Sequence, residues 1–243
     1  MMCHLKYSQY NERSILIEWP AFIDKNIGED VLFFKNKIEN SSIKDIVEVI
    51  CSYNSILVIY ASTIENINSA FLDLKSLYLD TSKVQIKNCN TIRIPVCYDD
   101  EFSTDLKNYS IEKKLSKSEI ITLHTAPIYT VFFIGFLPGF LYLGGLNSQL
   151  HLDRKTTPNL NVKKGSVAIG GNQTGIYPQD SPGGWHIIGN SPLELFNPKT
   201  NPPCYIKAGD KVKFYAISKS EYLEFQAEIK NASFNIQSLF VND

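Results

Sequence analysis

Glycine and proline are distributed unevenly along this chain of 243 residues, and this distribution restricts the fold more than any other feature. Twelve of the 13 glycines lie from Gly135 to Gly209, and nine of the 11 prolines lie from Pro127 to Pro203. Tight turns use these two residue types, whereas helix interiors exclude them. The first half is therefore expected to be α/β with long helices. The second half is expected to be β-rich with many turns, with a domain boundary between the two.

The apolar pattern of the first half predicts two amphipathic helices among several strands. Apolar residues recur at helical spacing near 26–39 and again from Ile64 to Leu77. These helices and the predicted strands follow one another in the order β-α-β-β-α-β, which is typical of a ferredoxin-like unit. The predicted strands are Ser14–Trp19, Ile43–Ile50, Ile56–Tyr60, Val84–Ile86 and Ile92–Val96.

Short strands that alternate with turns are predicted in the second half, as in a small barrel or sandwich. Capping boxes that begin at Ser116 and Ser218 predict a helix over about 117–124, ending at His124, and another helix in the C-terminal tail. The clearest strands are Tyr129–Phe136, Leu160–Val162, Ser166–Ile169, Trp185–Ile188, Leu193–Phe196 and Lys211–Ala216.

Charge and composition exclude several classes of protein. The chain has 24 Lys and Arg residues against 25 Asp and Glu, a formal net charge of −1. A nucleic-acid partner is not expected, because affinity for phosphates depends on clustered cations. The uncharged stretch Val131–Leu146 is shorter than the roughly 20 residues that span a bilayer, so no membrane span is expected. The five scattered cysteines are typical of reduced thiols and predict a cytoplasmic protein.

Common ligand-binding motifs are absent from the sequence. It contains no P-loop, no dinucleotide-binding glycine motif, no zinc-ligand spacing and no nucleophile elbow. We therefore predict no metal site in this chain. A Ser-His-Asp triad stays open, because triads are defined by geometry rather than by sequence order.

Two residues of the second half are candidate catalytic groups. The imidazole of His124 can act as an acid or a base near neutral pH, although a buried structural histidine explains the same pattern. The guanidinium of Arg154 can hold a carboxylate or a phosphate through two parallel hydrogen bonds. The alternative for Arg154 is a solvated turn.

Five further residues are candidates for binding a substrate. Gln173 and Thr174 follow a pair of glycines that would let a ligand approach the backbone closely, although a simple hairpin loop is the alternative. Tyr177, Ser181 and Trp185 lie beside tight turns. The alternative for the tryptophan is a buried ring that anchors a barrel.

Three motifs in this half occur together and in a fixed order. They are GFLPGFLYLGGL at Gly135–Leu146, GSVAIGGNQTGIYP at Gly165–Pro178 and SPGGW at Ser181–Trp185. In this combination the chain resembles the KipI / allophanate hydrolase subunit 1 family, to which the B subunit of 5-oxoprolinase belongs. The resemblance is strong from about Ile94 to Phe214 and weaker before that stretch.

The resemblance implies an α+β protein with an N-terminal ferredoxin-like α/β domain followed by a C-terminal cyclophilin-like β-barrel. Placed on this sequence, the two domains would span residues 1–92 and 93–218, with a C-terminal helical tail over 219–243. This division agrees with the one that glycine and proline indicate.

The family's activity is implied in the same way. The resemblance implies that this chain acts as the B subunit of an ATP-dependent 5-oxoprolinase. In such an enzyme the B subunit works with a KipA-type C subunit and an A subunit. The complex converts 5-oxoproline, a cyclic lactam, to L-glutamate. The chain is then expected to be inactive alone. ATP, with Mg²⁺, is implied for the complex, because this chain has no nucleotide-binding motif of its own.

The resemblance also suggests roles for the candidate residues. His124 would relay protons, and Arg154 would bind a carboxylate or phosphate. Hydrogen bonds would be donated by Gln173, Thr174 and Tyr177. The chain departs from the family pattern at Asn159 and Asn190, where many members carry arginine. If these arginines bind the substrate in other members, this chain has a different substrate, or its partner subunit supplies the missing charge.

Two other functions remain open on the sequence. A KipI-type protein inhibits a sensor histidine kinase by binding it, and an exposed apolar patch would favour that function. An allophanate- or urea-related hydrolase subunit is the second alternative, as the family name suggests.

Overall fold

The computed structural model describes residues 4–21, 25–80 and 89–241. The chain separates into two units, Met1–Asn88 and Cys89–Asp243. Each unit has its own sheet and its own buried core, so each is described by itself.

The N-terminal unit contains an antiparallel sheet and two helices. Its elements are β1 (Lys6–Asn11), β2 (Ser14–Glu18), α1 (Lys25–Glu39), β3 (Ile46–Cys51), β4 (Ser55–Tyr60) and α2 (Ile67–Leu79). Neighbouring strands follow the order β1-β2-β4-β3. The first helix buries Ile27, Val31 and Phe34, which confirms the helix that their spacing predicted.

The ferredoxin-like order is reproduced in part. From β2 to α2 the described elements follow the predicted β-α-β-β-α succession. The edge beside β2 is occupied by β1, a strand that the sequence analysis missed. The predicted strand Val84–Ile86 lies outside the described residues, and Ile92–Val96 belongs to the second unit. The ferredoxin-like assignment of this unit therefore stays a prediction.

The second unit is built around a closed β-barrel. Its strands are β5 (Thr91–Cys97), β6 (Tyr129–Ile134), β7 (Leu141–Gly144), β8 (Asn159–Val162), β9 (Ser166–Gly170), β10 (Gln173–Ile176), β11 (Ser181–Gly183), β12 (His186–Asn190), β13 (Lys211–Ile217) and β14 (Phe240–Val241). Seven of them close in the order β5-β13-β6-β7-β10-β9-β12, and β12 then pairs with β5. The strands β8 and β11 form a separate ribbon, and β14 extends the sheet beside β5.

The barrel closes where β12 meets β5. Asn190 pairs with Cys97 at this point, and β13 runs parallel to β5 on its other side. A Cβ atom at Gly189 would lie 2.8 Å from the carbonyl oxygen of Cys97, so only glycine allows the two backbones to approach this closely. The interior is filled by buried aliphatic and aromatic side chains of the barrel strands.

One predicted strand of this unit is wrong. The segment Leu193–Phe196 is not in a strand, yet Leu193 and Leu195 are buried in the barrel core. Alternating apolar residues produced the prediction, but here the alternation serves an irregular segment that lies against the barrel.

Three helices accompany the barrel: α3 (Leu106–Lys113), α4 (Lys117–Thr125) and α5 (Lys219–Lys230). The capping boxes at Ser116 and Ser218 are both formed, which confirms the predicted starts of α4 and α5. As expected, α4 brings His124 to its last turn. No helix in the described ranges is long and apolar enough to cross a bilayer.

Asp210, which directly precedes β13, connects the start of that strand to the residue before β5 and to the turn before β13. It is fully buried, and its two carboxylate oxygens accept hydrogen bonds from the backbone N–H groups of Asn90 (3.0 Å) and Lys207 (2.9 Å). We expect Asp210→Ala to lower the free energy of unfolding by about 2–5 kcal/mol, because two N–H groups lose their acceptor. Asp210→Asn should lower the free energy of unfolding by less, because its amide oxygen still accepts one hydrogen bond. Urea denaturation measures both.

Asp180→Ala provides a matched control for this prediction. The Asp180 carboxylate also accepts a backbone N–H, that of Lys164, but its side chain is 58% exposed. Its removal should cost less than about 1 kcal/mol, because water replaces the lost partner. Equal losses at the two positions would contradict the role assigned to Asp210.

Candidate functional site

A cavity of about 500 Å³ lies on the outer surface of the barrel and has mostly apolar walls, to which five aromatic side chains contribute. It is formed where the turn after β6, the segment after Leu152 and the ribbon strand β11 meet. Its side-chain lining includes Phe136, Phe140, Tyr142, Arg154, Tyr177 and Trp185. Ligand pockets commonly combine apolar walls with a few polar groups, so this cavity is the candidate site of the barrel unit.

The indole of Trp185 lies flat against the barrel because the strand beneath it has no side chain at Gly170. A Cβ atom at Gly170 would lie 2.6 Å from the indole ring. The ring is 96% buried, with 4% relative exposure. Glycine at this position therefore fixes how deep the cavity is, as well as where its inner wall lies.

Phe140 joins the aromatic walls into one layer. Its ring meets Tyr177 edge-on at 5.0 Å and Trp185 edge-on at 5.5 Å between centroids. Edge-to-face pairs at these distances stabilise aromatic clusters by about 0.5–1.5 kcal/mol each. The walls are consequently held in place before a ligand arrives.

Phe136 stands at the mouth of the cavity in an unusual backbone conformation. Its φ is +67°, and its ring is 63% exposed while meeting Phe140 edge-on. A left-handed conformation costs a bulky residue on the order of 1–3 kcal/mol, and such strain concentrates at binding sites. The strain marks the mouth of this cavity as a position where the ring's placement matters.

The hydroxyl of Tyr177 supplies a neutral hydrogen-bond donor in the cavity wall. Burial raises the pKa of Tyr177 to about 12, and a hydrogen bond from the backbone of Trp185 opposes this shift only in part. The phenol therefore keeps its proton across the physiological range.

Arg154 brings the charge to the cavity. Its guanidinium carbon lies 5.6 Å from the centre of the Trp185 ring, the geometry of a cation–π contact, and the side chain is exposed. In the described part of the chain no carboxylate forms an ion pair with it. The guanidinium is thus available to an anionic ligand.

The neighbours of Arg154 are tied down on both sides. The Lys155 ammonium pairs with Asp105 at 2.5 Å, and the Lys155 backbone N–H donates to the carbonyl of Gly184. Nε2 of His186 lies 2.9 Å from the carbonyl oxygen of Asp153. These contacts attach the arginine's segment to the strand that carries the cavity's inner wall.

Ser181 also borders the cavity. It is half-buried in β11, and its hydroxyl donates to the carbonyl of Pro182 at 3.1 Å. Since a hydroxyl has two lone pairs besides its proton, Ser181 can still accept a hydrogen bond from a ligand.

His124 lies inside the barrel and not on the cavity wall. It is fully buried, and its ring stacks on Phe214 at 4.7 Å between centroids. Nε2 lies 2.9 Å from the hydroxyl of Thr174, and Nδ1 lies 2.7 Å from that of Tyr98. His124 and Thr174 therefore form a buried polar network of their own.

The partners determine the tautomer of this histidine. The Thr174 hydroxyl donates its proton to the carbonyl of Ala168 at 3.0 Å, so it accepts a hydrogen bond from Nε2. Nδ1 then accepts from the Tyr98 hydroxyl. Burial lowers the pKa of His124 to about 3, which keeps the ring neutral.

Gln173 occupies the opposite face of the same strand. Side chains alternate along β10, so Gln173 leaves the barrel wall on the outer side, where Trp185 lies. It is 98% buried, and its Nε2 has no hydrogen-bond partner among the described residues. An unpaired buried amide costs about 1–3 kcal/mol, so this Nε2 calls for a partner such as a buried water.

The structure thus brings together four of the seven predicted site residues. Arg154, Tyr177, Ser181 and Trp185 line one cavity, whereas His124 and Thr174 meet inside the barrel. Five further residues of the site were not predicted from the sequence: Phe136, Phe140, Tyr142, Lys155 and Asp105. The three aromatic residues lie in the run Gly135–Leu146, which contributed to the sequence analysis only as a family motif and as a stretch too short to span a membrane.

Acid titration should reveal the neutral His124. The unfolded chain binds a proton on this residue below about pH 6.5, whereas the folded chain does not until about pH 3. Stability is therefore expected to fall as the pH is lowered through this window, by up to about 1.4 kcal/mol per pH unit from this residue. Urea denaturation from pH 7 to pH 4 should show a shallower dependence of stability on pH for His124→Gln than for the wild type, and His4→Gln, which alters an exposed histidine, is the control. Identical slopes for all three proteins would rule out a neutral His124.

The position of Trp185 can be tested through Gly170. In a Trp19→Phe background Trp185 is the remaining tryptophan. Gly170→Ala should shift its fluorescence emission to the red, because the new methyl group lifts the ring into solvent. Gly171→Ala is the control: its φ is +65°, so it is destabilised, but no atom lies within 4 Å of the added Cβ and the emission should not change. An unchanged emission in Gly170→Ala would contradict the packing described.

A family model matches most of the chain. Residues 5–206 match the carboxyltransferase domain, subdomain C and D. The urea carboxylase of Kluyveromyces lactis has a similar structure, with a TM-score of 0.74 and 19% identity over 95% of this chain and 23% of that protein. At this identity the likeness shows the fold alone.

Named relatives agree with this match. The 5-oxoprolinase B subunit of Bacillus subtilis is 33% identical over 94% of this chain and 99% of its own length. The 5-oxoprolinase B subunit of Haemophilus influenzae is 42% identical over 70% of this chain and 79% of its own length. The chain therefore belongs to the carboxyltransferase domain family of subdomains C and D, together with the 5-oxoprolinase B subunits that its motifs resemble.

Proposed function

We propose that this chain is the B subunit of an ATP-dependent 5-oxoprolinase that converts 5-oxoproline to L-glutamate. The observation that carries the proposal is the similarity to the B subunit of the Bacillus subtilis enzyme, which extends over 94% of this chain and 99% of that protein. The partners would be a KipA-type C subunit, together with the A subunit, and the chain would be inactive alone. The protein would act in the cytoplasm.

The chemistry of 5-oxoproline fits the aromatic cavity. The molecule is a small ring with apolar methylene edges, one lactam group and one carboxylate. Aromatic walls suit the methylene edges, and the guanidinium of Arg154 suits the carboxylate, which it can bind through two hydrogen bonds. The protonated Tyr177 hydroxyl and the Ser181 hydroxyl would orient the lactam group.

Opening a lactam requires activation of a resonance-stabilised amide. In the complex, ATP would supply this activation by phosphorylating the lactam oxygen. The contribution of this chain would be to hold the ring and its carboxylate in one orientation between fixed walls, which lowers the entropic part of the barrier.

The contacts of His124 favour a positioning role over the predicted proton relay. Its two ring nitrogens are occupied by Thr174 and Tyr98, and it lies inside the barrel. We propose that His124 fixes β10 through Thr174 and so holds the outer face of that strand beneath Trp185. The catalytic assignment made from the sequence stays a prediction.

ATP and Mg²⁺ are assigned to the complex and not to residues of this chain. Among the described residues no group of three or more His, Cys, Asp or Glu side chains could hold a metal ion. The one free cation in the aromatic cavity, among the described residues, is Arg154.

The finer structural assignments belong to the same proposal. The N-terminal unit would be ferredoxin-like and the barrel cyclophilin-like, with domains over residues 1–92 and 93–218 and a tail over 219–243. The seven-stranded closure of the barrel supports the second assignment.

Gene deletion tests the proposed function directly. In cells that lack this chain, 5-oxoproline should accumulate, and ATP-dependent conversion to glutamate should disappear from the lysate and return on complementation. Unchanged 5-oxoproline and unchanged conversion would overturn the proposal. The kinase-inhibitor and urea-related functions would then be tested next.

Arg154 can be tested with a substrate that lacks the carboxylate. In the reconstituted complex, Arg154→Ala should raise KM for 5-oxoproline by about 10–100-fold, because a charge-assisted pair worth about 1.5–3 kcal/mol is lost. The inhibition constant of 2-pyrrolidinone, a competitor that has the ring but no carboxylate, should be the same in this variant as in the wild type. Lys164→Ala removes a cation from an exposed pair with Glu194 and serves as the control. Equal weakening for both ring compounds would contradict a carboxylate contact.

A further inference from the structure

A second depression lies in the N-terminal unit and is lined by residues of that unit. It has a volume of about 1090 Å³ and is bordered by the end of α1, the loop that follows, the end of β4 and the face of α2. Its floor contains two buried polar side chains, Tyr60 and Lys37.

The hydroxyl of Tyr60 is a donor without an acceptor. The residue is 92% buried, and no described residue forms a hydrogen bond with its Oη atom. Burial and, to a smaller extent, the charge of Asp73 raise the pKa of Tyr60 to about 12, so the hydroxyl keeps its proton. A buried hydroxyl that lacks a partner is costly, and each such group calls for an explanation.

Lys37 presents a second buried donor. It is 98% buried, its ammonium donates to the carbonyl of Asp80, and it lies 5.4 Å from the centre of the Phe33 ring. In the described ranges no carboxylate forms an ion pair with this ammonium. Since an ammonium has three donors, protons remain for an anionic oxygen.

The rim is mostly acidic, and one exposed cation, Lys44, also borders the depression. The carboxylates of Asp45, Glu65 and Asp73 border the depression and are exposed. A simple anion would meet the floor donors favourably but would be repelled by the rim. A ligand with a carboxylate at one end and an ammonium at the other satisfies both.

We propose that this depression binds a free α-amino acid, with its carboxylate on the Tyr60 hydroxyl and Lys37 ammonium and its ammonium towards the acidic rim. The inference is independent of the proposed function. Under that function, the product glutamate belongs to the same class of ligand, so the site would let the complex respond to its product.

Isothermal titration calorimetry on the full chain tests the class of ligand. L-alanine, L-glutamate and L-lysine are the probes, with propionate and ethylamine as arms that carry only one of the two charges. At least one amino acid should bind, and both single-charge arms should be silent at the same concentration. Binding of no amino acid, or equal binding of propionate, would overturn the inference.

Tyr60→Phe tests the location. The hydroxyl has no partner in the protein, so its removal should leave the melting temperature unchanged or raise it, while binding weakens by about 10–100-fold. Lys37→Met keeps the packing of the stem and should weaken binding by at least as much. Tyr10→Phe is the control, because it removes a hydroxyl from a residue of the same unit that is 64% exposed. This variant should bind amino acids as the wild type does. Wild-type affinity in Tyr60→Phe would overturn the inference.

Arg154→Ala separates this site from the cavity of the barrel. Amino-acid binding to this variant should equal that of the wild type, because Arg154 belongs to the other unit. Loss of binding would place the amino acid in the aromatic cavity and overturn the inference while leaving the proposed function intact. Loss of 5-oxoprolinase activity alone would leave the inference intact.

Discussion

The closure of the barrel is the constraint on which the rest of the second unit depends. It requires β5, the first strand, to pair in parallel with β13, the last large strand, and to meet β12 on its other edge. These pairings join residues that are far apart in sequence, so loop closure must occur before they contribute stability. Gly189 allows the last approach, at the carbonyl of Cys97. Once the cylinder is closed, every strand has an inner and an outer face.

The inner and outer faces of β10 connect the core of the barrel to its candidate site. Thr174 points inward to a neutral histidine, and Gln173 points outward on the side covered by the tryptophan. Because successive side chains of a strand move together, the buried network that fixes Thr174 also fixes the outer face of β10. A histidine can therefore influence the cavity without touching a ligand. The motif around residues 165–178 therefore contains side chains of both faces of the barrel wall, and most of them are buried.

The sequence predicted what depends on local patterns. Helical spacing located α1, two capping boxes located α4 and α5, and glycine and proline located the turn-rich half. It did not predict β1, whose polar residues show little of the usual strand pattern, or the place of β5 in the barrel, which depends on pairing with a distant strand. The strand predicted at Leu193–Phe196 was wrong, because a buried irregular segment and a strand show the same apolar alternation over a few residues.

The candidate site shows the same limit. Tyr177, Ser181 and Trp185 are close in sequence, and their turns brought them to one cavity with Arg154. That His124 would face the interior could not be known, because the direction of a side chain at a helix end depends on how the helix packs. Phe136 carried no local signal either: its left-handed backbone follows from the turn that encloses the cavity, and nothing in the residue type indicates it.

The exposure of Arg154 bears on why such a chain would work inside a complex. A guanidinium in contact with water binds a carboxylate weakly, since the solvent competes for both charges and screens them. The aromatic walls of this cavity exclude water from below, but its mouth, at Phe136, is open. A partner surface laid over that mouth would lower the local dielectric, strengthen the contact to the guanidinium and hold the Phe136 ring against the ligand. The barrel therefore supplies prearranged walls and one charge, and under the proposed function the covering that makes this charge effective comes from another protein of the complex.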